Sequence, residues 1–174
     1  RKDDRRTESG NAARRAVQQH VLAINESLGE HAIPMPTTLV ADIAEAMKGK
    51  RSFSSMQEAV DAVAANAKID ASQYADRIRA NVAILAGHAE HATLFADRVQ
   101  LCATKAPEDL RNLIAARIAE HQQAEQARLD AEREKIREKE QAKAQEAAAA
   151  VQAAQVQQVL VAEPAPAQTE APPT

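Results

Sequence analysis

Around Gly49 the chain gathers three cations in four positions, Lys48, Lys50 and Arg51, with Ser52 directly after them. Such a cluster suits phosphate, whose oxygens accept hydrogen bonds from ammonium and guanidinium groups while the charges pair. The residues therefore stand as a candidate phosphate or nucleic-acid contact. A plainer reading stands beside it and comes first: Lys48, Lys50 and Arg51 answer the negative end of a preceding helix and solvate a loop. The stretch is not a P-loop, because Ala44 occupies the place of that motif's first glycine and no strand precedes it.

Other chemistry-bearing residues are sparse. His88 and His91, in GHAEHA, lie three apart and share a helical face with Glu90 nearby. A zinc site needs three or four ligands, and His20, His31 and His121 fall on other segments with no ligand spacing, so no metal is expected. Cys102 falls near the C-terminal end of an expected helix, on an apolar face. A thiol there lacks the base or the positive helix end that would activate it. No Ser/His/Asp order, glycine-rich phosphate cradle or paired carboxylates mark a pocket. The sequence thus points to no catalytic residue, no cofactor and no small-molecule substrate, and to a protein that is not an enzyme.

The elements that must carry these residues are helices. The 174 residues hold two Phe, one Tyr and no Trp, so a core must come from Ala, Leu, Ile and Val. Alanine-rich, glycine-poor, charged composition without strand-like alternation predicts an all-α fold. A formal charge of -3 argues against a generally basic coat and leaves room for local basic patches. A single cysteine excludes an internal disulfide framework. No apolar run reaches the length of a membrane span, which favours a cytoplasmic protein with no membrane partner. A chain that opens on Arg1 reads as a piece of a longer protein, with room upstream for an active domain.

Val17, Val21, Ile24 and Leu28 form one apolar stripe of a first helix over 11–28, closed by Gly29. Residues 1–10 are nearly all charged and read either as a frayed terminus or, in preference, as a solvated continuation of a helix from an upstream part. Leu39, Ile43 and Met47 mark a helix over 38–48, capped by Thr37 or Thr38. Two capping boxes, Ser54 with Gln57 and Ser55 with Glu58, open a third helix. Its stripe runs through Met56, Val60, Val63 and Ala67, then Tyr74, Ile78, Val82 and Leu85. Asp70 could start a fresh helix, but without Pro or Gly between Ser55 and Ala86 a single helix is expected. Phe95, Val99 and Cys102 indicate a shorter helix over 91–104.

A last helix is signalled by Pro107 with Glu108 and Asp109, and nothing interrupts it to about residue 158. Roughly 50 residues at about 1.5 Å each would make a rod of about 75 Å. Its first turns carry Leu110, Leu113, Ile114 and Ile118 and should close an antiparallel bundle over 11–119. Beyond them Leu129 and Ile136 are too few for a heptad seam, so 120–160 reads as a protruding, coiled-coil-like charged helix. The helix is expected to stand as a monomer, offering a face to a protein partner. Asp130 with Arg133, Glu132 with Lys135, Glu134 with Arg137 and Glu140 with Lys143 support it by a few tenths of a kcal/mol each. Residues 161–174, rich in Pro and Ala, form a disordered tail.

Four stretches, KGKRSFSSMQEAVDAV, AKIDASQYADRIRANV, EHATLFADRVQL and KAPEDLRNLIAARIAEH followed by EREKIREKEQAKA, resemble a group of uncharacterised phage and prophage helical proteins. Members of that group tend to be encoded near viral recombination or replication functions. The likeness spans roughly residues 10 to 145. It implies a bacterial or phage cytoplasmic setting and a DNA-metabolism context, and assigns no catalytic residue. The expected function is a non-enzymatic accessory module in phage DNA recombination or replication. The alternative is a scaffolding segment that uses the long charged helix to engage a protein.

Overall fold

The computed structural model describes residues 1–162. The chain is all-α. Five α-helices follow in order: α1 (Lys2–Leu28), α2 (Leu39–Met47), α3 (Phe53–Ala86), α4 (Arg98–Thr104) and α5 (Pro107–Val161), with short 3-10 turns at Gly29–His31 and Ala89–Leu94. It divides into two units, Arg1–Ala119 and Glu120–Thr174.

In the first unit, α1 begins well before its apolar stripe. The helix expected from residue 11 starts already at Lys2, and the charged run ahead of Asn11 is helical and mostly exposed, with Ser9 alone buried among residues 1–10. Ser9 is buried and donates to Gln57 Oε1 at 2.6 Å. A Cβ placed on Gly10 would lie 2.8 Å from Met47 Cε. Small residues let the helices approach here, beneath charged neighbours that point to solvent. Val17, Val21, Ile24 and Leu28 are buried as their spacing predicts, and α1 ends at Gly29 with φ +59°. The connection that follows is tied back by Asn25, which donates through Nδ2 to Ile33 O and accepts through Oδ1 from Ile33 N at 2.8 Å.

The first three helices alternate direction. Arg6 donates to Met47 O and Gly10 faces Ile43, so α2 runs back along α1. The chain then reverses at Gly49, whose φ of +71° suits glycine, and α3 runs up beside α1. Ser9 meets Gln57, His20 Nε2 lies 2.8 Å from Ser72 Oγ, and Ser27 Oγ accepts from Arg79. Residue numbers rise together across this interface, so α1 and α3 are parallel. Their shared core holds Ala13, Val17, Val21, Ile24, Val60, Ala64, Ala71, Ala75 and Ile78.

The third helix is single and uninterrupted across Asp70. Its cap differs from expectation: Ser52 Oγ, one turn ahead of the proposed boxes, accepts from Ser55 N at 3.1 Å. Thr38 precedes α2 as expected but makes no side-chain capping bond. The expected helix over 91–104 is also revised. Ala89–Leu94 is 3-10, Phe95 has non-helical φ −124° and ψ 49°, and α4 starts only at Arg98. The break changes which face is covered: Val99 is 39% exposed, whereas Leu101 is buried. A second core cluster gathers Phe95, Leu101, Leu110 and Ile114, with Ile84, Leu85, Leu94, Leu113 and Ile118 against it.

Two polar devices join these pieces. Asn81 is fully buried and donates through Nδ2 to Cys102 O at 3.0 Å and Lys105 O at 2.9 Å, pinning the end of α4 to α3. Arg117 donates to both oxygens of Asp97, at 2.7 and 2.8 Å, and to Leu94 O, fixing the first turns of α5 onto the 3-10 segment.

In the second unit, residues 120–161 are helical and all exposed. Ion pairs form along it at Glu125–Arg128, Asp130–Arg133 and Glu134–Arg137. The expected pairs Glu132–Lys135 and Glu140–Lys143 are not among the contacts of the described residues. Of the expected disordered tail, Val161 ends α5 and Ala162 sits in a turn; residues 163–174 lie outside the described residues.

Ile78→Ala should lower stability by about 2–5 kcal/mol, read as a fall in the urea midpoint, because the side chain is 1% exposed. A midpoint that hardly moves would mean that the stripe does not face the core. The Arg117 guanidinium, by hydrogen bonding, holds the Asp97 carboxyl below its ordinary value. A carboxylate whose folded pKa is depressed contributes its stability in full above the unfolded value, about 3.9, and loses it as pH falls through the folded one. Asp97→Asn should therefore be less stable than the parent near neutral pH, with the difference shrinking once pH drops below about 3.9. A difference that stays constant through acid would assign the pair no electrostatic role.

Candidate nucleic-acid interface

The parallel pairing of α1 and α3 brings both helix N-termini to the same end of the first unit. There Lys2, Arg5 and Arg6 of α1 and Lys50, Arg51, Ser52, Phe53 and Met56 line one concavity of about 140 Å³. Lys2, Arg5 and Arg6 are spaced i, i+3 and i+4, so one face of α1 carries all three. The turn at Gly49 places Lys50 and Arg51 opposite them. A Cβ on Gly49 would meet no atom within 4 Å, so the positive φ, rather than crowding, makes glycine suitable there.

The cations differ in how they are engaged. Arg6 Nη2 donates to Met47 O at 2.6 Å, which closes the end of α2 and steadies the guanidinium. Lys48 Nζ lies 3.6 Å from Glu45 Oε2 and is not part of the lining. Of the three residues singled out in the sequence, the structure thus brings Lys50 and Arg51 together with α1 and leaves Lys48 on the helix-end role. Lys2, Arg5, Lys50 and Arg51 form no ion pair among the described residues. Four cations without a salt-bridge partner at one end repel each other, Asp3 and Asp4 offset part of their charge, and two helix dipoles add positive potential there. The first amides of α3 precede any intrahelical partner, and only that of Ser55 is taken by Ser52 Oγ. An anion would meet complementary charge and free donors together.

Sequence reasoning missed Lys2, Arg5, Arg6 and Phe53 as site residues. The i, i+3, i+4 spacing on α1 was a signal for the first three, but nothing local to them indicates a partner more than forty positions away.

The remaining candidates are placed elsewhere. His88 precedes the 3-10 segment and His91 lies within it, with His91 Nε2 3.9 Å from Glu90 Oε1. Among the described residues no group of three or more His, Cys, Asp or Glu is placed to hold a metal ion. Cys102 is fully buried, and burial first, then the charge of Glu30, pushes its thiol upward, keeping it protonated. Among the described residues no helix is long and apolar enough to cross a membrane. No family model, curated protein or solved structure matches the chain.

Proposed function

We propose that the chain is a non-enzymatic helical accessory module of phage or prophage DNA recombination or replication, working in the bacterial host cytoplasm. It holds the DNA backbone at the basic concavity. The observation that carries this reading is the meeting of Lys2, Arg5 and Arg6 with Lys50 and Arg51 at the shared N-terminal end of α1 and α3. Phosphates displace condensed counterions when they bind such a cluster, so affinity falls with salt in proportion to the contacts made. The phage setting rests on the likeness of the four stretches quoted above.

Changing Lys48, Lys50 and Arg51 together to Gln should weaken DNA binding and reduce the salt slope by up to about three ion contacts, with little change in stability. Because Lys48 lies outside the lining, a Lys50/Arg51 double change should account for most of the loss. Fluorescence anisotropy of a labelled oligonucleotide across a salt series reads both quantities. Absence of association with any DNA at low salt would end this reading.

A second reading is favoured by one feature of the second unit. Val151, Val156, Val159, Leu160 and Val161 are all more than half exposed near the end of α5. A partner helix could cover them, making this segment a scaffold for protein contact. In dilute solution the chain itself should be a monomer, since Leu129 and Ile136 alone cannot close a dimer. Deleting residues 125–174 should leave the unfolding midpoint of the first unit nearly unchanged. A full-length dimer that the deletion abolishes would instead make α5 an oligomerisation device.

A further inference from the structure

We infer that the basic concavity takes single-stranded DNA, with the ring of Phe53 as a stacking platform for an unpaired base; this rests on the DNA-binding reading above and specifies its substrate. The chain has three aromatic side chains in all, two Phe and one Tyr. Phe95 is buried in the second core cluster, and Tyr74 is half-buried with the Arg77 guanidinium 4.8 Å from its ring centroid. Phe53 is the most exposed of them, with about half of its surface (49%) in water, and it lines the same concavity as Lys2, Arg5, Arg6, Lys50 and Arg51.

A protein so poor in aromatics loses packing by leaving one of its rings outside the core. Helix geometry does not require a ring at that position either, since any residue of ordinary propensity can begin α3 after Ser52. What the position does offer is an apolar flat face directly beside unpaired cations. A duplex has no use for that face, because its bases are already stacked on one another and present phosphates outward. A single strand exposes both phosphates and base faces, and proteins that hold it combine a positive groove with aromatic platforms. The concavity of about 140 Å³ has room for one phosphate group or one base edge. Stacking on Phe53 with phosphates against Lys50 and Arg51 uses both the apolar and the charged side chains at the start of α3. Such binding tolerates any sequence, because every base has a π-face.

The test uses the full chain and two substitutions at an exposed site. Phe53→Leu keeps apolar bulk and removes the π-face. Phe53→Trp supplies the sole tryptophan of the chain and hence an unambiguous fluorescence signal. The probes are a labelled oligothymidine of about 16 nucleotides and a mixed-sequence duplex of the same length. Phe53→Leu should weaken single-strand binding about five- to a hundredfold while leaving duplex affinity and both salt slopes unchanged. The tryptophan of Phe53→Trp should be quenched by the oligothymidine and much less by the duplex. Unchanged circular dichroism and urea midpoints would show that both variants fold. If the parent binds both DNAs with salt dependence and Phe53→Leu alters neither, the backbone contact stands and the stacking assignment is wrong. If the parent binds neither DNA at low salt, both fall together.

Discussion

The arrangement of the first unit depends on the parallel contact of α1 with α3. Parallel neighbours align their dipoles head by head, which is mildly unfavourable, so something else must hold them. Burial does so. The contact is made by Ser9, Ala13, Ala64, Ala71 and Ala75 interleaved with Val17, Val21, Val60 and Ile78, all buried. Small residues allow close approach, and the branched residues between them fill the space. The non-helical connection over 32–38 and then α2, which runs back along the first half of α1 so that Met47 reaches Arg6, together return the chain to the end where it began. Both long helices therefore start at that end, and their basic residues meet there whatever the fold gains or loses from their repulsion. Asp3 and Asp4 in the first turn of α1 offset part of that charge. The rest is met by no ion pair among the described residues.

The second core cluster is held differently. Its elements are short, and α4 has only seven residues, too few to be stable by helix propensity. Asn81 makes up the deficit by bonding two carbonyls at the end of α4, where the helix cannot satisfy them itself. Its own Oδ1 is buried without a partner. An unpaired buried acceptor costs about 1–3 kcal/mol, so the side chain's place in the core rests on its two Nδ2 bonds and on packing. The Asp97–Arg117 pair then fixes the first turns of α5.

How far the fold could be read from sequence follows from where hydropathy contrast exists. Val17, Val21, Ile24 and Leu28 stand out against charged neighbours, so α1 and its buried face were legible from Asn11 on. Ser9, Gly10 and Ala13 were not, because small residues pack closely without being hydrophobic enough to form a stripe. The unbroken α3 was legible from the absence of Pro and Gly, while its cap was displaced because three serines within four positions all fit the role and geometry chose Ser52. The 3-10 segment ahead of α4 was hidden, since Phe95 and Val99 have helical spacing and nothing local marks the break between them. At the site, the basic loop was visible as a cluster. Its partners on α1 were not, since only the parallel return of α3 brings residues 2–6 beside residues 50–53.

The direction of α3 relative to α1 is accordingly what everything else requires, and a short-reach cross-link tests it directly. Cysteines introduced at Ser27 and Arg79, which are both exposed and hydrogen-bonded at 2.9 Å, should be bridged within one chain by a short bismaleimide. Cysteines at Ser27 and Glu58, also exposed, should not, because Glu58 follows Gln57, which lies beside Ser9 at the far end of α1. Cys102 is buried with its thiol held protonated and does not compete. Rapid bridging of the first pair and none of the second is the expected result. Bridging of Ser27 to Glu58 in place of Arg79 would mean that the helices are antiparallel, and the basic concavity would not exist.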